Sequence, residues 1–200
     1  MIQKRMISGV VGGLLAALAV GCAGSRSGDF PASSFTARAA AAAEAARVVR
    51  VIDGDTYILL SGATTYRLRL LGVDAPEHDQ DFGPQATDSV QRLLAPGRVV
   101  LVAKAGLDLY GRTLGAVLLP TATVAAAGRP VPLDSLLVVR GWAWAYDPDH
   151  PVAGRAAQQV AAQRVGRGLW RCGASAAAAP KLWRSFDAKN KRRYRGGCSW

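Results

Sequence analysis

Three runs of strand-forming residues follow one another between residues 48 and 70, separated only by turn signals. Val48-Val49-Arg50-Val51-Ile52 is a β-branched run, Asp53-Gly54 marks a turn, residues 56–60 form a second candidate strand, and Ser61-Gly62 turns the chain again. From Tyr66 the pattern alternates, with Tyr66, Leu68 and Leu70 on one face and Arg67 and Arg69 on the other. That is a half-buried strand carrying two arginines outward. Residues 84–95 open with Pro84 and stop before Pro96-Gly97, and place Ala86, Val90, Leu93 and Leu94 on the inner face of an amphipathic helix. Strands near 98–103 and 113–119 follow, then helical patterns near 133–140 and 153–165, the last ending at Gly166. Several strands with interposed and trailing helices make an α+β domain, and a small barrel hides the edges of such a sheet.

The chain has 200 residues, half of them hydrophobic, and three cysteines. This suits one domain with appendages and excludes a disordered chain, a multi-domain machine and a disulfide-dense miniprotein. A formal net charge of +11 calls for an anionic partner, and its distribution says where. Residues 1–46 carry four cations and two acids, residues 47–170 thirteen and eleven, and residues 171–200 eight and one. The basicity belongs mostly to the tail, where Lys181, Arg184, Lys189, Lys191, Arg192, Arg193 and Arg195 are interleaved with Trp183, Phe186 and Tyr194. An Ala-Ser spacer at 174–179 precedes that run.

At the amino terminus, Lys4 and Arg5 precede an apolar stretch over residues 10–20 that is too short to span a bilayer comfortably. It reads as the charged and apolar regions of a secretory signal. Ala19-Val20-Gly21-Cys22 resembles the lipobox of bacterial lipoproteins, with Ala19 where Leu is usual. Residues 1–21 are then a lipoprotein-type signal peptide, Cys22 is the lipid acceptor, and residues 22–46 are an Ala/Ser/Gly-rich tether. The mature protein is expected outside the cytoplasm, anchored to the membrane through Cys22 or, with ordinary cleavage, secreted.

Six of the eleven acids of residues 47–170 fall between Asp53 and Asp81, and Arg67, Arg69 and Arg112 stand on neighbouring segments. Asp55 and Asp74 offer hard oxygen ligands to Ca²⁺, with a backbone carbonyl and waters completing the shell. Arginine presents a planar fork that matches two phosphate oxygens and keeps its charge. Glu77, just after Pro76, can orient a water as general base. Together these are the parts of metal-assisted phosphodiester hydrolysis, although each piece alone also fits a turn, a loop or a solvated strand face.

The segments Val51-Ile52-Asp53-Gly54-Asp55-Thr56, then Arg67-Leu68-Arg69-Leu70-Leu71-Gly72-Val73-Asp74-Ala75-Pro76-Glu77, then Asp108-Leu109-Tyr110-Gly111-Arg112 closely resemble the signature segments of the staphylococcal nuclease (thermonuclease) family. The resemblance runs through residues 136–146 to Gly168-Leu169-Trp170 and covers about residues 47–170. It implies a five-stranded OB-fold β-barrel with three helices. It also implies Arg69, Glu77 and Arg112 as catalytic residues, and Asp55, Asp74 and the main-chain carbonyl of Ala75 as calcium ligands. Ala75 stands where the family often has Thr, which removes a hydroxyl but leaves the carbonyl. Asp53 is expected beside the metal site, and Tyr110 and Tyr146 match aromatics that approach the bound nucleotide. The activity implied is a calcium-dependent endonuclease acting on DNA and RNA, single-stranded or breathing by preference, with little sequence selectivity and 3′-phosphate products. A monomer is expected.

Two other readings remain at this stage. The barrel could be a non-catalytic nucleic-acid binder, or a surface-anchored envelope protein whose basic tail, residues 171–200, holds DNA or anionic lipid. Once Cys22 is given to lipid, Cys172 and Cys198 are left as an even pair outside the cytoplasm, which favours one intramolecular disulfide. Such a bridge folds the tail back on the end of the barrel. With the tail outside the machinery, reduction is expected to leave cleavage largely intact.

Overall fold

The computed structural model describes residues 43–120, 129–146 and 152–199. The segments expected to be signal peptide and tether, with Cys22, lie outside the described residues as far as residue 42.

Strand β1 (Glu44–Val51) begins three residues before the domain start expected at residue 47. The reason is tertiary: Glu44, Ala45, Ala46 and Arg47 pair antiparallel with Val102, Leu101, Val100 and Val99. Pairing and burial of Ala46 override the weak strand preference of alanine, so the tether ends sooner than its composition implies. β2 (Thr56–Ser61) and β3 (Thr64–Leu70) continue as antiparallel neighbours, with Thr56 opposite Arg69 and Ser61 opposite Thr64. The two-residue β4 (Val73–Asp74) follows, then helix α1 (Gly83–Leu93), β5 (Val99–Leu107) and β6 (Thr113–Leu119). The order is β3-β2-β1-β5-β6, and a parallel pairing of β3 with β6, Leu68 opposite Thr113, closes five strands into a barrel. Irregularities at Val48/Arg50 and Lys104/Gly106 supply the curvature that closure needs.

The short β7 (Val131–Pro132) extends the sheet beside β6 and leads into α2 (Leu133–Arg140). β8 (Trp144–Ala145) pairs with β4, setting Asp74 opposite Trp144, and α3 (Arg155–Arg164) packs on α2 through the buried pair Arg155–Asp134 at 2.6 Å. Inside the barrel, Tyr57, Leu59, Leu68 and Leu70 from the hairpin meet Val100, Val102 and Val117, with Val90, Leu94, Leu133 and Leu137 covering one end. Arg67 and Arg69 point away from that core, as their alternation required.

The tail is more than a spacer followed by a basic run. Turns at Gly168–Trp170 and Ala174–Ala176 lead into α4 (Pro180–Ser185) and α5 (Ala188–Tyr194), the latter capped by Asp187 accepting from the Asn190 N–H at 2.7 Å. Two helices therefore add to the three expected. Cys172 and Cys198 are joined by a disulfide with Cα atoms 5.8 Å apart.

Candidate active site

The β2–β3 hairpin sets the first part of the site. Asp55 precedes Thr56, whose partner across the ladder is Arg69, and the Leu70 N–H donates to the Asp55 carbonyl at 2.8 Å. Arg69 therefore reaches Asp55 directly, its Nη1 lying 3.1 Å from Oδ2. Its Nη2 lies 2.9 Å from Asp74 Oδ1, and Nη1 also donates to the carbonyls of Leu70 and Val73 at 3.0 Å each. One guanidinium thus joins two carboxylates and two main-chain carbonyls. Both acids are buried, Asp55 with 6% and Asp74 with 2% of its surface exposed.

The turn before Asp55 is shaped for this. Asp53 Oδ1 accepts from the Asp55 N–H at 3.0 Å, which places Asp53 beside the pair. At Gly54 a Cβ would fall 2.6 Å from the Ala75 side chain, so glycine lets this turn lie against the loop that follows Asp74. The Ala75 N–H donates to Asp55 Oδ2 at 2.6 Å and locks the two segments together. Burial pushes the Asp55 carboxyl up to about 7, the charges of Asp53 and Asp74 add to this, and Arg69 and the Ala75 N–H only partly offset it.

Arg112 approaches from the β5–β6 connection. Asp108 Oδ1 accepts from the backbone N–H groups of Tyr110 and Arg112 at 2.8 and 2.9 Å, and Oδ2 accepts from Arg112 Nε at 2.6 Å. Partial burial pushes the Asp108 carboxyl up, but those bonds outweigh it and hold the group below its usual range. Asp108 therefore orients Arg112, a role its place in the motif did not disclose. Tyr110 is 83% exposed, with the Arg112 guanidinium 5.6 Å from its ring centroid.

Glu77 lies in the loop after Pro76, where its N–H donates to Gln80 Oε1 at 3.2 Å. Its carboxylate accepts from Arg184 Nη1 at 2.5 Å. The same tail arginine reaches Asp74, with Nη2 3.2 Å from Oδ2. Sequence reasoning counted Arg184 as one cation in a basic run.

Asp53, Asp55, Arg67, Arg69, Asp74, Ala75, Glu77, Tyr110, Arg112 and Arg184 all line one cleft of about 700 Å³. Tyr146 does not line it. It lines a neighbouring apolar cavity of about 420 Å³ with Trp144, Pro180, Lys181 and Leu182, and Asp74 borders both.

Among the described residues no three His, Cys, Asp or Glu side chains are gathered at metal-binding spacing. The donor set still suits a hard cation that takes two carboxylates and completes its shell with main-chain carbonyl and water. Asp55 and Asp74 are both buried and both reach the Arg69 guanidinium, which brings the two carboxylates to the same side of the cleft.

Comparison with known proteins agrees with this arrangement. The sequence model of the staphylococcal nuclease homologue family matches residues 67–172. An uncharacterized endonuclease of Escherichia coli is 38% identical over 129 residues, covering 62% of this chain and 75% of its own length. A micrococcal nuclease of Shigella flexneri is 38% identical over 99 residues, 50% of this chain and 56% of its own, and a thermonuclease of Staphylococcus hyicus 34% identical over 134 residues, 62% and 74%. With a closed five-stranded barrel, a cleft lined by arginines and acids, and a match over more than half its length, the chain belongs to the staphylococcal nuclease family.

Proposed function

We propose that this nuclease is a calcium-dependent endonuclease that hydrolyses DNA and RNA with little sequence preference and leaves 3′-phosphate ends. The observation that carries the reading is the convergence of Arg69, Arg112 and Glu77 on one cleft whose floor holds two buried carboxylates. Attack of water on a phosphodiester builds negative charge on the equatorial oxygens, so donors fixed around the phosphorus favour the transition state over the ground state. Arg69, anchored by two carbonyls, and Arg112, oriented by Asp108, supply such donors. Glu77 aligns the attacking water and accepts its proton as the water oxygen bonds to phosphorus, while the 5′ oxygen leaves with the electron pair of its broken bond and takes a proton from solvent. Calcium held by Asp55, Asp74 and the Ala75 carbonyl would neutralise a non-bridging oxygen. Tyr110 offers an exposed ring for stacking on a base, which is tolerant of sequence and easiest for unpaired strands. The amino-terminal pattern supports export with Cys22 as lipid acceptor, and on that reading the substrates are met outside the cytoplasm.

Digestion of plasmid, single-stranded DNA and RNA tests this, with calcium, with magnesium and with excess EGTA, followed by end-group mapping. The expected result is cleavage of all three with calcium, poor cleavage with magnesium, and 3′-phosphate ends. Full activity in EGTA would overturn the calcium assignment. Tight binding without cleavage would return the protein to the class of non-catalytic binders.

A further inference from the structure

Arg184 lies beyond the residues that the family's sequence model matches, yet it touches two of the acids that define the site. Its placement is built rather than incidental. Trp183, the residue before it, is fully buried and donates from Nε1 to Asp79 at 2.8 Å. Lys191 and Arg195 from α5 and beyond also bond Asp79, the Gly196 N–H bonds Asp81 at 2.9 Å, and Gln80 Nε2 donates to the Ala178 carbonyl. The loop carrying Glu77 is thus clamped to the helix carrying Arg184, and the Cys172–Cys198 disulfide ties both ends of the tail together.

The two arginines on Asp74 are held unequally. Asp74 Oδ1 accepts from Arg69 at 2.9 Å and from Arg184 Nη1 at 3.5 Å, and Oδ2 accepts from Arg184 Nη2 at 3.2 Å, so a cation that takes this carboxylate meets the charge of both guanidinium groups. The Arg69 side chain is 15% exposed and also bonded to two main-chain carbonyls, which a cation leaves in place. The Arg184 side chain is 49% exposed and bonds the carboxylates of Asp74 and Glu77. Repulsion from an incoming divalent charge therefore moves Arg184 first. Once released it still lines the cleft that takes the phosphodiester, and its planar fork matches phosphate as well as it matched carboxylate. Its departure also frees Glu77 to meet water.

We infer that Arg184 is a third substrate-binding arginine of the active site, parked on Asp74 and Glu77 until a metal takes Asp74 and then handed to the nucleic-acid phosphate. This rests on the calcium reading above.

The test uses the full chain and two readouts. In calorimetric titration with calcium chloride alone, Arg184→Gln removes a competitor and is expected to bind calcium about fivefold or more tightly than wild type. In steady-state cleavage of single-stranded DNA at saturating calcium, the same variant is expected to raise KM about fivefold or more with a smaller change in kcat. Arg184→Lys, which keeps the charge but loses the fork, should fall between the two proteins in both measurements. Unchanged or weaker calcium binding by Arg184→Gln overturns the proposal. Tighter calcium binding with unchanged or lower KM also overturns it, since the arginine would then only plug the site. If wild type itself shows no calcium binding, the calcium reading fails and takes this one with it, an outcome the wild-type titration alone identifies.

Discussion

The barrel and the tail reach order by different routes. In the barrel, Tyr57, Leu59, Leu68 and Leu70 are fully buried, each strand has a neighbour on both sides around the closure, and the enclosed surface is almost wholly apolar. In the tail, α5 buries no residue, and attachment runs through Trp183, a disulfide, and bonds from Lys191, Arg195 and Gly196 to the exposed Asp79 and the half-buried Asp81. Apolar burial is non-directional and is not screened by salt, whereas exposed ion pairs are weak singly and are screened. The parts of the site that must not move, Asp55, Arg69 and Asp74, sit on the barrel. The part free to change partners, Arg184, sits on the tail.

The largest effect should come from the barrel side. Arg69→Ala is expected to lower turnover by at least about 10² to 10³, as loss of one transition-state donor does. It should also cost the metal-free barrel about 3 to 5 kcal/mol, because Asp55 and Asp74 are left buried without their shared guanidinium. Urea unfolding in chelator, run beside the cleavage assay, reads both. Unchanged stability would sharpen the comparison instead, by showing that apolar burial alone holds the barrel and that the site's charges add nothing to it.

Reduction of Cys172–Cys198 acts on the other side. The half-cystines are 26 residues apart in sequence, and closing such a loop restricts the unfolded chain by about 3 to 4 kcal/mol in the chain-entropy model. The barrel strands lie outside the loop, so the loss should appear as faster proteolysis within residues 173–199 and hardly in the barrel's melting temperature. Because Arg184 is inside the loop, reduction is now expected to raise KM as well, where the sequence alone suggested little effect on cleavage. Trp183→Ala should reproduce this more mildly with the disulfide intact. A large fall in melting temperature from either change would mean that barrel and tail unfold as one unit.

How far each region was legible follows the same division. Alternation at residues 66–70 exposed β3 and the outward direction of Arg69, because a period of two is a local property. The start of β1 at Glu44 was hidden, since Ala45 and Ala46 carry no strand signal and are ordered by β5. Asp55, Asp74, Glu77 and Arg112 were visible in their motifs, but the Asp108 bracket on Arg112 was seen only in three dimensions. Arg184 could not have been picked out. Seven cations stand in residues 181–195, and which one enters the cleft is decided by where Trp183 is buried and what Asp79 holds.

The smallest expected effect concerns Asp79, and it isolates the electrostatic share of tail docking. Hydrogen bonds from Lys191 and then Trp183, with the nearby charges of Lys191 and Arg195, hold its carboxyl below its usual range of about 3.8. A carboxyl depressed in the folded state contributes docking that is complete above its unfolded value and lost as pH falls through the lower folded one. Acidification from pH 5 to 2.5 should therefore loosen α4 and α5 before the barrel yields, with hydrogen exchange rising first over residues 180–196. The shift will be small because Asp79 is largely exposed and water screens its partners. Asp79→Asn keeps an acceptor for Trp183 Nε1 but removes the charge that Lys191 and Arg195 answer, so its tail should exchange somewhat faster at neutral pH and change less on acidification. Were the variant's exchange to follow pH as wild type does, the acid sensitivity would belong to Asp81, Asp187 or the barrel's own acids, and the tail would be held by Trp183 and the disulfide rather than by charge.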